Sequence, residues 1–175
     1  MRSKISLVLD GHDGSGKTTL ATALAHKLNA DYVQPFHGAT GELLLWSAER
    51  GNTRFAFELA SHLIEKALSE TEAPIVVFDR HWLTVLSLLP EQSWQELLVT
   101  WENLPPTVLC WAGLKTTQAR LACRTEKQYP ESYHRDYLRR YGSLHHRFGA
   151  TLLRTDRQTM EECVDELVNW AKKFT

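Results

Sequence analysis

The chain has 175 residues, 43% hydrophobic and 23% charged, with a formal net charge of −1. That is enough chain for one folded domain with its own core, and the charge argues against a nucleic-acid or membrane-attached surface. Its three cysteines, Cys110, Cys123 and Cys163, are scattered and odd in number, which argues against a disulfide framework or zinc site and favours a reducing, cytoplasmic setting; no apolar run approaches the roughly 18–20 residues that span a bilayer, and the apolar run in "MRSKISLVLDG" is too short for a secretion signal.

Four short apolar or β-branched segments with turn residues nearby read as buried strands: Ile5–Leu9, Pro74–Phe78, Thr107–Trp111 and Ala150–Leu153. A fifth, shorter candidate is "DYV" at 31–33. Helical patterns lie between them. One covers 17–29. Another covers 53–69, with Phe55, Leu59, Leu63 and Ala67 as an amphipathic stripe. Pro90 breaks a helical stretch, and "SWQE" at 93–96 offers a capping box for the next. Residues 133–148 carry Tyr133, Tyr137, Tyr141 and Phe148 near one face, and 158–173 form a terminal helix with Met160, Val164, Leu167 and Val168 inward. Strands alternating with helices predict an α/β fold with a parallel sheet covered on both faces. Ligands in such folds sit at the C-terminal strand ends, here Asp10 onward, Asp79–Arg80, Ala112–Lys115 and Arg154–Asp156.

The first strand end carries the most specific signal. Residues 11–18, "GHDGSGKT", fit G-x-x-x-x-G-K-[ST] between a strand and a helix. Glycines let backbone N–H groups converge on phosphate oxygens, and the following helix adds its positive N-terminal end. Gly11, Asp13, Gly14, Ser15, Gly16, Lys17, Thr18 and Thr19 form the candidate ATP-binding set. In it Lys17 reaches the β- and γ-phosphates and Thr18 ligates Mg²⁺. The odd member is Asp13, an anion inside an anion-binding loop; turn formation alone is the bland explanation.

Asp79 and Arg80 follow the strand "PIVVF". An aspartate there can hold Mg²⁺ through water or take a proton from an attacking hydroxyl, and the arginine can pair with a phosphate or carboxylate. A structural ion pair is the alternative. Further on, eight basic residues fall between 115 and 147: Lys115, Arg120, Arg124, Lys127, Arg135, Arg139, Arg140 and Arg147. A basic, movable segment over phosphates neutralises transition-state charge and excludes water, and Arg120 and Arg124 are its leading candidates. A solvated helical face, or a stripe tracking a nucleic-acid backbone, are the other readings; the near-zero net charge weighs against nucleic acid.

Taken together, "LDGHDGSGKTT", "VVFDRH" and "RLACRTEKQYPESYHRDYL" resemble thymidylate kinases and the related deoxynucleoside kinases, in element order over nearly the whole chain. The resemblance implies a three-layer α/β/α P-loop fold over 1–175, a parallel five-stranded sheet in the order 2-3-1-4-5, and a helical lid at about 123–133. It implies that Asp13 touches the acceptor's sugar hydroxyl, that Asp79 serves the metal or acceptor, and that Arg80 binds acceptor phosphate. It implies that Arg120 and Arg124 contact ATP and that 154–156 lie near the adenine. Members of the family are often homodimers. The sequence departs from the thymidylate kinase pattern on the acceptor side. "QPFHGATGEL" at 34–43 has His37-Gly38 where an arginine is expected, and no base-binding arginine follows Phe55 or Phe57. His37, Arg54 and Phe57 are the substitute candidates.

The expected reaction is transfer of the γ-phosphoryl of Mg·ATP to a nucleoside monophosphate, dTMP foremost, with Lys17, Asp79 and Arg124 as catalytic residues and Thr18 and Asp79 at the metal. The alternative acceptor is a deoxynucleoside or other small hydroxyl compound. A third class, a nucleotide-dependent switch or ATPase, would need a dedicated water-positioning residue, and none is evident.

Overall fold

The structure is a computed structural model and describes residues 4–101, 103–125 and 128–175. The expected lid therefore lies partly outside the described residues, at Glu126 and Lys127. In chain order the elements are β1 (Ile5–Asp10), α1 (Lys17–Leu28), β2 (Asp31–Val33), α2 (Ala39–Glu49), α3 (Thr53–Ser69), β3 (Ile75–Asp79) and α4 (Trp82–Leu88). They continue with α5 (Trp94–Thr100), β4 (Thr107–Trp111), α6 (Leu114–Ala122), α7 (Glu131–Phe148), β5 (Thr151–Arg154) and α8 (Met160–Ala171).

The described strands form one parallel five-stranded sheet in the order β2-β3-β1-β4-β5, as expected. Both faces are covered, and strand alternation divides the core. Leu7, Leu9, Val77, Val108 and Cys110 pack against Leu20, Leu24, Leu167 and Trp170 of α1 and α8. On the opposite face Val8, Val76 and Phe78 meet Ile64 of α3, while Leu109 joins Trp82, Leu83, Leu86 and Leu144 of α4 and α7. Burying each such side chain contributes about 1.5–3 kcal/mol. Because β1 sits centrally, with β3 on one side and β4 on the other, chain direction around the sheet reverses at its C-terminal end. That places a crevice beyond Asp10. No described helix is long and apolar enough to cross a membrane.

Three local expectations differ from the structure. The buried stripe of α3 is Ala56, Phe57, Ala60 and Ile64, whereas Phe55 is 51% exposed. A shift of one residue rotates a helix face by about 100°, and here the small Ala56 and Ala60 form the packing side. The "SWQE" capping box does not form. Ser93 lies in a 3₁₀ turn, Glu91–Ser93, and its hydroxyl donates to the Pro90 carbonyl at 2.7 Å. A capping box heads α8 instead, between Thr159 and Glu162, and Met160 beside it points outward at 43% exposure. The helix α2 was not read from the sequence. Gly41 permits its close packing, since a Cβ there would lie 2.2 Å from the Phe36 carbonyl oxygen.

Candidate active site

Residues 11–16 connect β1 to α1 at the crevice. Gly11 has φ +150°, and a Cβ on it would lie 2.4 Å from the Cys110 carbonyl oxygen, so the approach of the loop to β4 requires glycine. Thr155, just past β5, and Arg120 of α6 fix the loop from the side. The Thr155 hydroxyl donates to the Ser15 carbonyl at 2.6 Å. Arg120 donates to the Gly14 carbonyl at 3.0 Å and to the Thr155 carbonyl at 2.8 Å. A loop held this way keeps its N–H groups in place without a ligand, and α1 brings its unpaired N-terminal N–H groups to the same point. Lys17 is buried, with Nζ 3.6 Å from Asp13 Oδ1. Burial and then Arg80 push its pKa down, while Asp13 and Asp79 oppose them.

Asp79 ends β3 beside Lys17 and Thr18. Its Oδ2 accepts from the Thr18 hydroxyl at 2.6 Å, Gln34 Nε2 at 2.7 Å and the Tyr32 hydroxyl at 3.1 Å. Its Oδ1 is buried without a hydrogen-bond partner, and so is Ser15 Oγ. A carboxylate held through one oxygen by three donors and with its other oxygen orphaned, next to the Thr18 hydroxyl, suits a Mg²⁺ ion. That ion keeps several waters and takes only one or two protein oxygens beside phosphate. No cluster of three or more His, Cys, Asp or Glu side chains exists among the described residues that would hold a metal by itself.

On the other side of the loop, Asp13 pairs with Arg80, whose second nitrogen donates to the Gly11 carbonyl at 3.2 Å. Burial raises the Asp13 pKa, but Arg80, Lys17, His12 and Arg124 together hold the carboxyl well below the usual range. Asp13 is thus an anion, 44% exposed at its side chain. Arg80 adopts φ +79°, a conformation that costs a non-glycine residue on the order of 1–3 kcal/mol. Asp10 stabilises this turn. It is fully buried and accepts from the backbone N–H groups of His81, Leu83 and Thr84, each at 3.2 Å, and from the Thr84 hydroxyl. The carboxyl thereby caps α4 and fixes the segment that presents Arg80.

His12 is buried against α7. Its Nε2 lies 2.8 Å from His134 Nδ1, and its ring stacks on Tyr137 at 5.6 Å and 8°. Burial lowers its pKa to about 4, so it is neutral at physiological pH. Tyr133 and Tyr137 continue this aromatic wall. They line a pocket of about 170 Å³ with His12, Asp13, Phe36 and Arg80. A second pocket, of about 280 Å³, lies against Gly14, Gly16, Arg120 and Arg124 and reaches Gln158 and Cys163.

The structure therefore brings together Gly11, Asp13, Gly14, Ser15, Gly16, Lys17, Thr18, Asp79 and Arg80, with Thr19, Arg120 and Arg124 at the second pocket. It does not bring the three substitute acceptor residues to them. His37 is exposed and lines neither pocket. Arg54 points outward and pairs with Glu58 at 2.7 Å. Phe57 is buried in the core, 4.7 Å from the Trp101 ring. Arg154 and Asp156 pair with each other, and Asp156 accepts from the Gly113 N–H at 2.8 Å. The sequence reading missed the capping role of Asp10, the His12–His134 pair and the Tyr32 and Gln34 supports of Asp79. Asp10 had a signal, an acidic residue ending a buried strand. The others depend on contacts between distant segments.

No family model matches the chain. A curated relative from Methanococcus vannielii, described as a probable thymidylate kinase, is 28% identical, with 92% of each chain covered. Among solved structures, deoxyadenosine kinase from M. mycoides with bound dATP superposes with a TM-score of 0.68 at 13% identity, covering 96% of this chain and all of that one. Shikimate kinase from Bacteroides thetaiotaomicron superposes at 0.62 and 18% identity, with 96% and 98% covered. The resemblance read from the sequence holds, and the fold is that of P-loop kinases.

Proposed function

We propose that this P-loop kinase transfers the γ-phosphoryl of Mg·ATP to a nucleoside monophosphate, with dTMP the first candidate. The observation that carries a transfer reaction is the pair of pockets on one loop: His12 and Asp13 line one, Gly14 and Gly16 the other. A donor phosphate chain and an acceptor could thus meet at the same backbone. The 28% identical relative, described as a probable thymidylate kinase, supports the choice of acceptor.

Phosphoryl transfer has a loose transition state, so the protein's work is alignment and charge stabilisation. Loop N–H groups and Lys17 would hold the donor's terminal phosphates. Arg124, with Arg120 behind it, would stabilise charge on the transferring group. Thr18 and the free oxygen of Asp79 would hold Mg²⁺, which draws charge from the phosphate oxygens when bound. Asp13 would accept a hydroxyl of the acceptor and align it. The wall of Tyr133, Tyr137 and Phe36 would take a flat base and exclude water.

A second reading has a specific observation behind it. Among the described residues lining the acceptor pocket, Arg80 is the one cation, and Asp13 already neutralises it. A monophosphate dianion would have to draw Arg80 away from Asp13. A neutral hydroxyl acceptor, such as a deoxynucleoside, would not. ATP consumption with Mg²⁺ against matched nucleosides and nucleoside monophosphates tests both. Turnover with dTMP supports the first reading, turnover with an unphosphorylated nucleoside supports the second, and no response to any acceptor contradicts both.

A further inference from the structure

We infer that Gln158 reads the base of the nucleotide donor, favouring a base that presents an amino group, as adenine does, over one that presents a carbonyl at the same place, as guanine and hypoxanthine do. The inference rests on reading the loop as the donor-phosphate site. A nucleotide with its phosphates on Gly14, Gly16 and Thr19 has its base directed along the 280 Å³ pocket toward Gln158, Met160 and Cys163. Leu20 and Met160 supply apolar surface there for a ring. Two other polar side chains of the lining are engaged within the protein. The Thr155 hydroxyl is spent on the Ser15 carbonyl, and Arg120 bridges Gly14 and Thr155.

The direction of the Gln158 amide follows from its two neighbours. Its Nε2 lies 2.9 Å from Glu166 Oε2. An ionised carboxylate only accepts, so the NH₂ end must face Glu166. Its Oε1 lies 3.3 Å from Cys163 Sγ, and the thiol donates. Burial, with Glu166 and Glu162 nearby, raises the Cys163 pKa and keeps that thiol protonated. A carbonyl oxygen has two lone pairs. One receives the thiol of Cys163, and the other is left for a ligand in the pocket that both residues line. The adenine N6 amino group donates to such an oxygen. A carbonyl at C6 would oppose it, acceptor against acceptor. Turning the amide over to serve that carbonyl would set Oε1 against Glu166, so the discrimination lies in Glu166 as much as in Gln158. Sites that pair with a donor reject the analogue lacking it, because a polar group is left unmatched.

The test is equilibrium binding of ADP, IDP and GDP without acceptor; ADP and IDP differ by amino against carbonyl at C6. The wild-type chain should bind ADP at least about tenfold tighter than IDP or GDP, the scale of one matched polar contact. Glu166→Ala, at an exposed position on α8, frees the amide to turn. It should tighten IDP until the ratio falls below about threefold, with ADP affinity changed less than about twofold. Gln158→Leu should weaken ADP and abolish the preference. A purely structural role for Glu166 would move all three ligands alike. Equal binding of ADP and IDP by the wild type, or an unchanged ratio in Glu166→Ala, overturns the assignment and leaves the phosphate-loop reading standing. No binding of any of the three overturns both.

Discussion

Arg80 and Asp13 are 67 residues apart in sequence and joined at the pocket that His12, Tyr133 and Tyr137 line. The pairing explains the acidic residue inside an anion-binding loop. Arg80 and Lys17 keep Asp13 ionised, and its side chain remains accessible from the pocket. Its carboxylate is thus available to accept a hydroxyl from a ligand in that pocket.

Asp13→Ala should raise the acceptor KM by about 10–100-fold, the scale of a lost charge-assisted hydrogen bond. The KM for ATP should change by less than about threefold. Equal changes in both would show that Asp13 shapes the loop instead of contacting the acceptor. Steady-state kinetics with each substrate varied in turn gives the answer.

Lys17→Ala should lower kcat by at least about 100-fold, comparable with removing one electrostatic contact to a developing charge. Folding should survive, because the substitution removes a buried cation whose pKa burial already lowers. An unchanged circular dichroism spectrum with near-normal turnover would remove Lys17 from the mechanism.

Asp10→Ala should destabilise the fold by about 2–4 kcal/mol, since it strands the buried N–H groups that begin α4. Asp10→Asn keeps one carbonyl oxygen at the cap and should recover part of that loss. Urea denaturation separates the two variants. Equal stability of Asp10→Ala and wild type would contradict the capping role.

Stability should also depend on pH through two buried histidines. Burial lowers His12 to about 4 and His81 to about 3, from a usual 6.5. Below pH 6.5 the unfolded chain takes up these protons and the folded chain does not. Stability therefore falls as pH drops from 6.5 toward 4, by up to about 1.4 kcal/mol per pH unit for each histidine. Above 6.5 both states are neutral at these residues and their contribution is flat. His12→Gln and His81→Asn should each reduce that slope in denaturation curves between pH 4 and 6.5. A slope unchanged by both variants would contradict the burial argument.

The convergence of the glycine loop, Lys17, Thr18 and Asp79 was legible because it is local. The glycines, Lys17 and Thr18 lie within one strand–loop–helix, and Asp79 ends a buried strand. The strand order was legible only through the resemblance, since alternation alone does not say which strand is central. Asp13 and Arg80 were legible beside it, but the placement of the three substitute candidates was not. His37, Arg54 and Phe57 were chosen by position along the chain, but their direction depends on the rotation of α3 and on α2, which begins after Gly38. Tyr133 and Tyr137 were seen on one face of a helix; only the path of α7 brings that face against His12. The stripe on α3 is displaced for a related reason: Leu59 and Ala67 are partly buried against the core, while Phe55 is exposed. Two apolar series run along that helix, and the more buried one is Ala56, Phe57, Ala60 and Ile64.

Transfer between two ligands on one loop is tested by following labelled γ-phosphate from Mg·ATP. The label should appear on an added nucleoside monophosphate or nucleoside, and little should be released when no acceptor is present. Release of inorganic phosphate at the same rate with and without acceptors would contradict it.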